Sequence, residues 1–347
     1  SQGDRTHCLR ASYNNGHLLI LIIYGDITMS ENQDTVRIFV GSAESELLAF
    51  RVLEHSIKRH TNLDVDMRTI DNSLAPMPSD MRYLPYTNFS FGRFAIPKLA
   101  GYQGRAVYMD SDMIVFRDIE ELWNTPVKGA KILVEKITPA TDREKLTAVM
   151  LMDCSALPWD TTEIVAGLGV NYDYDELMSM APLLSADMIQ DYLPAGWNSL
   201  DHFDENTRLL HYTKVRTQPW VYTNHPLGYL WVDEIRMMLD SGALQADYIR
   251  QQVEQKFIRP SLLIELGLSD AHKGKQLSPQ QMAHYDKSQG FIIQQQLNER
   301  KLARKLARLE YQQQADPEGF ARERSKRRWR KFIRHPLRFL TDPMMRV

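Results

Sequence analysis

Three Asp-x-Asp triplets occur in this chain, and one of them is placed where both carboxylates could bind a single cation. Asp110-Ser111-Asp112 directly follows four apolar residues, 106–109, which predict a buried strand. Residues i and i+2 point the same way in extended backbone, so both carboxylates can reach one ion. Open α/β sheets bind ligands at the carboxyl ends of their strands. Two hard oxygen ligands there suit Mg²⁺ or Mn²⁺.

The other two triplets lack that placement. Residues 64–66 stand at the entrance to a predicted strand, and residues 173–175 lie in a polar loop with no strand before them. About one such triplet is expected by chance in a chain of this length. We therefore interpret both as solvated polar residues.

The elements around Asp110 follow a β-α-β-α-β pattern. Apolar alternation and helical spacing predict a strand at 36–40, a helix at 44–60, a strand at 65–69, a helix at 91–100 and a strand at 106–109. Further apolar runs predict strands at 131–134, 149–152 and 208–210. This alternation is typical of an α/β fold, so we expect an open, mostly parallel sheet flanked by helices.

Strand signals stop near Asn224, and helical periodicity follows at 230–239 and 247–257. We predict four regions along the chain. They are an unstructured or non-native leader at 1–34, with Met29 as an alternative start, a main domain at 35–225, a helical extension packed on it at 226–278, and a charged helical and basic aromatic tail at 279–347.

Cysteine usage and hydropathy favour a reducing compartment. The chain has two cysteines, Cys8 and Cys154, which imply no disulfide framework. The apolar run at 18–24 is far shorter than the ~20 residues that span a bilayer. We expect a cytoplasmic protein.

The two ends of the chain differ in charge, although the net charge is -2. Residues 301–347 hold 14 Lys and Arg against 5 Asp and Glu, which leaves 28 against 39 for residues 1–300. Basic residues alternate with Trp329, Phe332 and Ile333 in the tail, a composition that suits an anionic membrane surface, nucleic acid or a solvated tail. No nucleic-acid module accompanies it, so we favour peripheral contact with the inner face of the membrane.

A second apolar run at 113–116 and the segment DIEELW at 118–123 follow the triplet. Together, residues 105–123 resemble the signature of glycosyltransferase family 8, the retaining GT-A-fold group that includes glycogenin and bacterial lipopolysaccharide galactosyl- and glucosyltransferases. Members show a hydrophobic strand, Tyr-Leu-Asp-x-Asp, a hydrophobic strand and Asp-Ile-x-x-Leu-Trp. The resemblance covers about residues 36–225 and implies a GT-A-type, Rossmann-like mixed sheet with a nucleotide-sugar transferase domain at 35–225.

The resemblance also implies which residues bind the donor. The segment Val40, Gly41 and Ser42 matches the family region that holds the base and ribose, and Arg93 matches an arginine near the phosphates, although by itself it reads as a surface helix cation. Asp110 and Ser111 would contact the donor as part of the triplet.

A histidine at the end of the last predicted strand supplies a third metal ligand by resemblance. His211 followed by Pro219-Trp220 matches the family's His-x-x-Gly-x-x-Lys-Pro-Trp, whose histidine completes the metal site with residues matching Asp110 and Asp112. One imidazole beside two carboxylates favours Mn²⁺ over Mg²⁺.

The same segment departs from the family pattern. Lys214 replaces its glycine, Gln218 replaces its lysine, and one residue is inserted. Either Lys214 or Arg216 could supply the phosphate-binding cation instead.

Acceptor-side signals are sparse. Residues 146–148 replace the family's Asn-x-Gly, and only Asp187, Gln190 and Asp191 stand where a Gln or Asp pair lies near the reacting carbon. Whether retention uses a protein nucleophile or same-face attack stays open. Residues 193–198 resemble the family's Leu-Pro-x-x-Trp-Asn, so Trp197 is either an acceptor wall or a packed loop aromatic.

The main prediction is transfer of a hexose from a UDP-sugar to a carbohydrate or lipid-linked acceptor with Mn²⁺ or Mg²⁺. A nucleotidyltransferase would need a Gly-rich basic loop after the first strand, which residues 40–44 lack. The remaining alternative is an inactive transferase-like fold that binds a membrane or nucleic acid.

Overall fold

The computed structural model describes residues 9–14, 17–22, 35–70, 72–80, 82–83, 89–136, 146–293, 295–322 and 325–326. The chain divides into two compact units, Ser1–Thr35 and Val36–Val347. In the described part of the chain no helix is long and apolar enough to cross a membrane. Most of the basic aromatic tail, from residue 327 onward, lies outside the described residues, so its membrane contact stays a prediction.

The first unit contains an antiparallel hairpin of β1 (Leu9–Asn14) and β2 (His17–Ile22), with Leu9 opposite Ile22. The two strands are the only part of the predicted unstructured or non-native leader, residues 1–34, that lies within the described residues, so that prediction stays open.

The second unit is built on a six-stranded sheet with the order β4-β3-β5-β8-β7-β9. Pairings β3–β4, β3–β5 and β7–β9 are parallel, whereas β5–β8 and β7–β8 are antiparallel, which confirms the predicted mixed, mostly parallel α/β sheet. The strands are β3 (Val36–Gly41), β4 (Val65–Ile70), β5 (Arg105–Asp110), β7 (Ile132–Glu135), β8 (Leu146–Asp153) and β9 (Ile189–Leu193).

A second sheet of three short strands adjoins the carboxyl end of β5. It consists of β6 (Met113–Val115), β10 (Ser199–Leu200) and β11 (Leu209–His211), in the order β10-β11-β6. Because β11 runs antiparallel to β6, His211 lies opposite Met113. This pairing brings the end of the last strand to the turn that follows β5.

Helix α1 (Leu47–Lys58) covers one face of the main sheet. Its Leu53 and Ile57 pack with β3 and β5, while Leu48 and Val52 belong to a separate cluster with the C-terminal helices. Inside the interface, Ser56 Oγ accepts a hydrogen bond from the Val115 amide at 3.0 Å. The helix therefore joins both sheets.

The predicted helix at 91–100 is broken into a 3₁₀ turn at Gly92–Ala95 and a single helical turn, α2 (Ile96–Leu99). Pro97 stands at the start of α2, where its missing amide hydrogen costs nothing. Short helices α3 (Glu120–Trp123), α4 (Thr161–Ala166) and α5 (Tyr174–Met178) follow in the sheet region.

The C-terminal extension is helical, as predicted. The predicted extension at 226–278 contains α6 (Gly228–Asp240), α7 (Ala246–Glu254) and α8 (Ser261–Glu265), and the predicted charged tail contains α9 (Pro279–Ser288) and α10 (Gln295–Ala315). Buried Trp231, Ile235 and Ile249 pack with Leu210 and Tyr212 from the end of β11. The extension is therefore packed directly behind the strand that carries His211.

Candidate functional site

Asp110, Asp112 and His211 form one cluster, although His211 is about a hundred residues away in sequence. Strand β5 ends at Asp110, a two-residue turn leads into β6, and β11 pairs with β6. The Tyr212 amide also donates to the Asp112 carbonyl at 2.9 Å, which ties the end of β11 to the turn. One ligand atom from each of the three side chains lies within 4.8 Å of the others.

The donor set of this cluster fits a divalent cation. Asp112 Oδ1 is buried, has no hydrogen-bond partner among the described residues, and lies 3.1 Å from His211 Nε2. His211 Nδ1 donates to Asn198 Oδ1 at 2.9 Å, so the lone pair of the neutral ring is on Nε2. Two carboxylates and an imidazole nitrogen that converge on one point are typical of a metal site.

The cluster also favours positive charge electrostatically. Burial acts to lower the pKa of His211, but the charges of Asp112 and Asp110 outweigh it, so this pKa is raised above 6.5. Burial and the neighbouring Asp112 charge raise the pKa of Asp110, even though Arg93 opposes them. A bound cation would offset both the cost of burying the negative carboxylates and their mutual repulsion.

Arg93 is buried beside the cluster, which excludes the interpretation as a surface helix cation. It is 7% exposed, and its guanidinium lies over the Tyr108 ring at 4.5 Å. Its Nη2 donates to the Tyr108 hydroxyl at 2.9 Å and lies 3.8 Å from Asp110 Oδ1. Arg93 therefore places a positive charge behind Asp110.

Tyr108 connects these two residues, a role that its sequence position did not indicate. Its hydroxyl donates to Asp110 Oδ1 at 2.5 Å. Burial raises the pKa of Tyr108 well above its ordinary value, so the hydroxyl keeps the proton that it donates. The buried tyrosine before the triplet was visible in sequence only as part of an apolar run.

The predicted base-and-ribose segment lies at the carboxyl end of β3, beside the turn. The Ser111 amide donates to the Gly41 carbonyl at 3.1 Å. A Cβ at Gly41 would lie 2.5 Å from the Tyr108 hydroxyl, so a larger residue does not fit. Val40 is fully buried, and Ser42 is 5% exposed, so their backbone groups rather than their side chains are the ligand-facing candidates.

Glu46 joins this segment to the triplet and was missed in the sequence. Its Oε2 accepts hydrogen bonds from the Ala43 amide at 3.1 Å and from Ser111 Oγ at 3.2 Å. Ser111 is 2% exposed and is thereby fixed within the turn.

The two candidates for the phosphate-binding cation lie just after β11. Lys214 and Arg216 are exposed, in and beside a 3₁₀ turn at Val215–Thr217. Their role in donor binding stays a prediction. Gln218, which replaces the family lysine, is instead 3% exposed and donates to Asp112 Oδ2 at 2.8 Å.

Asp187, Gln190 and Asp191 are not brought to the cluster. They lie at and before the start of β9, an edge strand three positions from β5 in the sheet. Strand register aligns Gln190 with Leu133, Leu151 and finally Val107, three residues before Asp110. At about 4.8 Å per strand and 3.3 Å per residue, Gln190 and Asp110 are about 17 Å apart.

These three residues are therefore not part of the Asp-Asp-His cluster itself. The Gln190 amide donates to the carbonyls of Ala186 and Asp187, and the two aspartates are exposed. Apolar patterning did not predict this strand, because only Ile189 and Leu193 are buried in it. The catalytic role of Asp187, Gln190 and Asp191 stays a prediction.

Two further sequence interpretations concern residues near the site. Asp173 and Asp175 are exposed, as expected for solvated residues, but the segment is not a loop, because Asp173 caps α5 and the Tyr174 hydroxyl lies 2.9 Å from Ser90 Oγ. Burial acts to lower the pKa of Arg93, but Tyr108, Asp110 and Tyr174 together raise it. Trp197 is fully buried, which makes it a packed aromatic rather than an acceptor wall.

The sequence predicted a protein with a mixed, mostly parallel α/β sheet. It also predicted an Asp-Asp-His cluster at the carboxyl end of a central strand of that sheet. The model for the family Glycosyl transferase family 8 matches residues 25–163. The resemblance to glycosyltransferase family 8 is thus confirmed. His211 lies beyond the matched residues, so its place in the cluster depends on the geometry described above.

Individual proteins match this chain either over a shorter stretch or at a lower sequence identity. Protein CDI of Arabidopsis thaliana is 36% identical over 103 residues, which cover 27% of this chain and 38% of that protein. The match therefore spans less than half of the curated relative.

Two solved structures are similar at lower identity. The apo-form glycosyltransferase GlyE of Streptococcus pneumoniae TIGR4 is 16% identical, with 58% of this chain and 60% of that chain covered and a TM-score of 0.43. The galactosyltransferase LgtC in complex with donor and acceptor sugar analogues is 12% identical, with 62% and 100% covered and a TM-score of 0.46.

Proposed function

We propose that this chain is a metal-dependent glycosyltransferase that moves a hexose from a UDP-sugar to a carbohydrate or glycolipid acceptor with retention of configuration. The observation that carries the proposal is the convergence of Asp110, Asp112 and His211 within 4.8 Å, with Asp112 Oδ1 buried and unpartnered within the described chain. The family match supports the transferase class, and the UDP donor follows from the resemblance.

Asp110, Asp112 and His211 would hold Mn²⁺, or Mg²⁺. When bound, the ion would supply positive charge that offsets the charge developing on the leaving UDP. Asn198 keeps the His211 ring turned with Nε2 toward the ion. Tyr108 and Arg93 fix the Asp110 carboxylate from behind, through the 2.5 Å hydrogen bond and the buried positive charge.

Residues around this centre would bind the rest of the donor. The carboxyl end of β3, at Val40, Gly41 and Ser42, would bind the base and ribose through its backbone, as the family resemblance implies, because the side chains of Val40 and Ser42 are buried. Lys214 or Arg216, exposed on the turn after β11, would bring a cation to the diphosphate.

The proposal is tested by UDP release from purified protein with a panel of UDP-sugars, with and without Mn²⁺. Asp112→Ala removes one ligand and should lower metal-dependent UDP release by more than about 100-fold. Loss of a residue that only hydrogen-bonds a metal ligand typically costs about 10- to 100-fold, and loss of the ligand itself should cost more. Asp64→Ala is the matched control, because it changes an exposed aspartate of an unrelated Asp-x-Asp triplet. It should leave UDP release unchanged.

Failure of every donor to bind or react with Mn²⁺ present would overturn the proposal. A second candidate is a transferase-like protein without turnover. The observation that favours it is the position of Asp187, Gln190 and Asp191, about 17 Å from the cluster by strand register. Tight binding of UDP and Mn²⁺ without reaction on any acceptor would support this second candidate.

A further inference from the structure

The two carboxylate oxygens of Asp112 have different surroundings. Oδ2 accepts a hydrogen bond from Gln218 Nε2 at 2.8 Å. Oδ1 is buried, has no hydrogen-bond partner within the described chain, and lies 3.1 Å from His211 Nε2. One oxygen is therefore bonded to a neighbouring amide, and the other faces the remaining candidate ligands.

Gln218 is itself held firmly. Its side chain is buried, and the same Nε2 donates to the Tyr212 carbonyl at 3.0 Å. Its backbone carbonyl accepts from the amides of Val221 and Tyr222, both at 3.0 Å. The carboxamide thus links the backbone just after His211 to the side chain of Asp112.

We propose that Gln218 is a positioning residue that fixes Asp112 as a single-oxygen ligand of the divalent cation, with Oδ1 toward the ion and Oδ2 held by the amide. This inference rests on the proposed function, since it concerns the same cation. A carboxylate can rotate to bind an ion through one oxygen or through both, and a hydrogen bond to Oδ2 selects the first mode. The ligand is then oriented before the ion arrives.

The neutral carboxamide matters for the charge of the site. A lysine or arginine at position 218 would form an ion pair with Asp112 and compete with the cation for its charge. An amide donor orients the carboxylate and leaves its negative charge for the ion. Partners of this kind around metal ligands typically contribute 10- to 100-fold in metal affinity.

The test is direct Mn²⁺ binding to the full chain, without nucleotide, measured by the electron paramagnetic resonance signal of free Mn²⁺. Gln218→Met keeps the length of the side chain and removes its donor. We expect Mn²⁺ to bind about 10- to 100-fold more weakly. In UDP-release assays, the Mn²⁺ concentration for half-maximal rate should rise by a larger factor than kcat falls.

Gln252→Met is the matched control. Gln252 is a buried glutamine of α7, 4% exposed, and its amide donates to Gln255 at 3.2 Å rather than to the cluster. The Gln252→Met variant loses a buried carboxamide of the same size, so it reports any general effect of such a loss on folding. Its Mn²⁺ affinity should match that of the wild type.

The outcomes separate this inference from the proposed function. If the wild type does not bind Mn²⁺ or Mg²⁺, the proposed metal dependence fails. If the wild type binds Mn²⁺ and folded Gln218→Met binds it equally well, only the role of Gln218 is overturned. Should Gln218→Met fail to fold, Gln218→Asn retains a shorter carboxamide and should show the same weakening of Mn²⁺ binding. If neither variant folds, the role of Gln218 is to stabilise the protein core, and its proposed role in positioning Asp112 is overturned.

Discussion

Asn198 and Gln218 each form a hydrogen bond with one candidate ligand, on the side of that ligand that faces away from the cation site. Asn198 Oδ1 accepts from His211 Nδ1, and Gln218 Nε2 donates to Asp112 Oδ2. Each contact leaves the opposite atom of the ligand directed toward the cluster. At this scale, the geometry of the site depends on amide side chains as much as on the carboxylates and imidazole that would bind the ion.

The raised pKa of His211 predicts a pH dependence of metal binding. Asp112 and Asp110 stabilise the protonated ring, so Mn²⁺ must displace a proton at pH values below that pKa, which lies above 6.5. Affinity should therefore rise by up to about tenfold per pH unit through this range and level off at higher pH. Calorimetry in buffers of different ionisation heats should show up to about one proton released per Mn²⁺ near pH 6.5.

The control for this experiment is His284→Gln, which changes an exposed histidine on α9. Its proton release should equal that of the wild type. Binding of Mn²⁺ with no proton release at pH 6.5 would contradict the assignment of His211 as a ligand.

At the scale of elements, a turn between β9 and β10 supports the site. The Gly196 amide donates to Glu135 at the end of β7, and its carbonyl accepts from the amides of Arg208 and Leu209. This turn therefore connects the main sheet with β11 and sets the position of Asn198 behind His211. Burial raises the pKa of Glu135, whose carboxylate is held by the turn amides.

Gly196→Ala should destabilise the protein more than Gly242→Ala. Both glycines have positive φ, +90 and +76, but a Cβ at Gly196 would collide with the Asn206 carbonyl, whereas Gly242 has open space around it. We expect a loss of about 3 kcal/mol or more at Gly196 and about 1 kcal/mol at Gly242, measured by urea unfolding. Equal losses would mean that backbone conformation alone, rather than the close approach of the chains, constrains the turn.

At the scale of the whole second unit, the C-terminal helices share one apolar cluster with α1 and the three-stranded sheet. Arg259 adds a polar connection within it. Its Nε donates to the Pro219 carbonyl at 2.9 Å, its Nη1 donates to Ser261, and its Nη2 pairs with Glu265. The contact with Pro219 crosses the predicted boundary at residue 225, next to the segment that carries Gln218.

Arg259→Met should therefore destabilise the unit as a whole. Arg259 is 2% exposed, and its loss would leave the Pro219 carbonyl and the Glu265 carboxylate without this donor. Breaking a buried pair costs about 3–5 kcal/mol, whereas an exposed pair is worth at most about 1 kcal/mol. Arg250→Met, which breaks the exposed pair with Asp247, is the matched control in the same unfolding assay. Comparable losses in the two variants would contradict a linking role for Arg259.

Local sequence determined the elements and the pair of carboxylates. The apolar run before Asp110 predicted β5, and the i, i+2 spacing predicted that Asp110 and Asp112 act together, because strand periodicity is a property of neighbouring residues. The addition of His211 came from the family resemblance rather than from periodicity.

The tertiary structure alone decided which partners complete the site and which candidates are distant from it. Gln218 and Asp112 are 106 residues apart, and nothing in the local pattern of either residue indicates their hydrogen bond. Strand order likewise puts Gln190 at an edge of the sheet, three strands from β5. Local periodicity specifies where a strand begins and which face is apolar, but strand order and side-chain hydrogen bonds arise only when distant segments pack together.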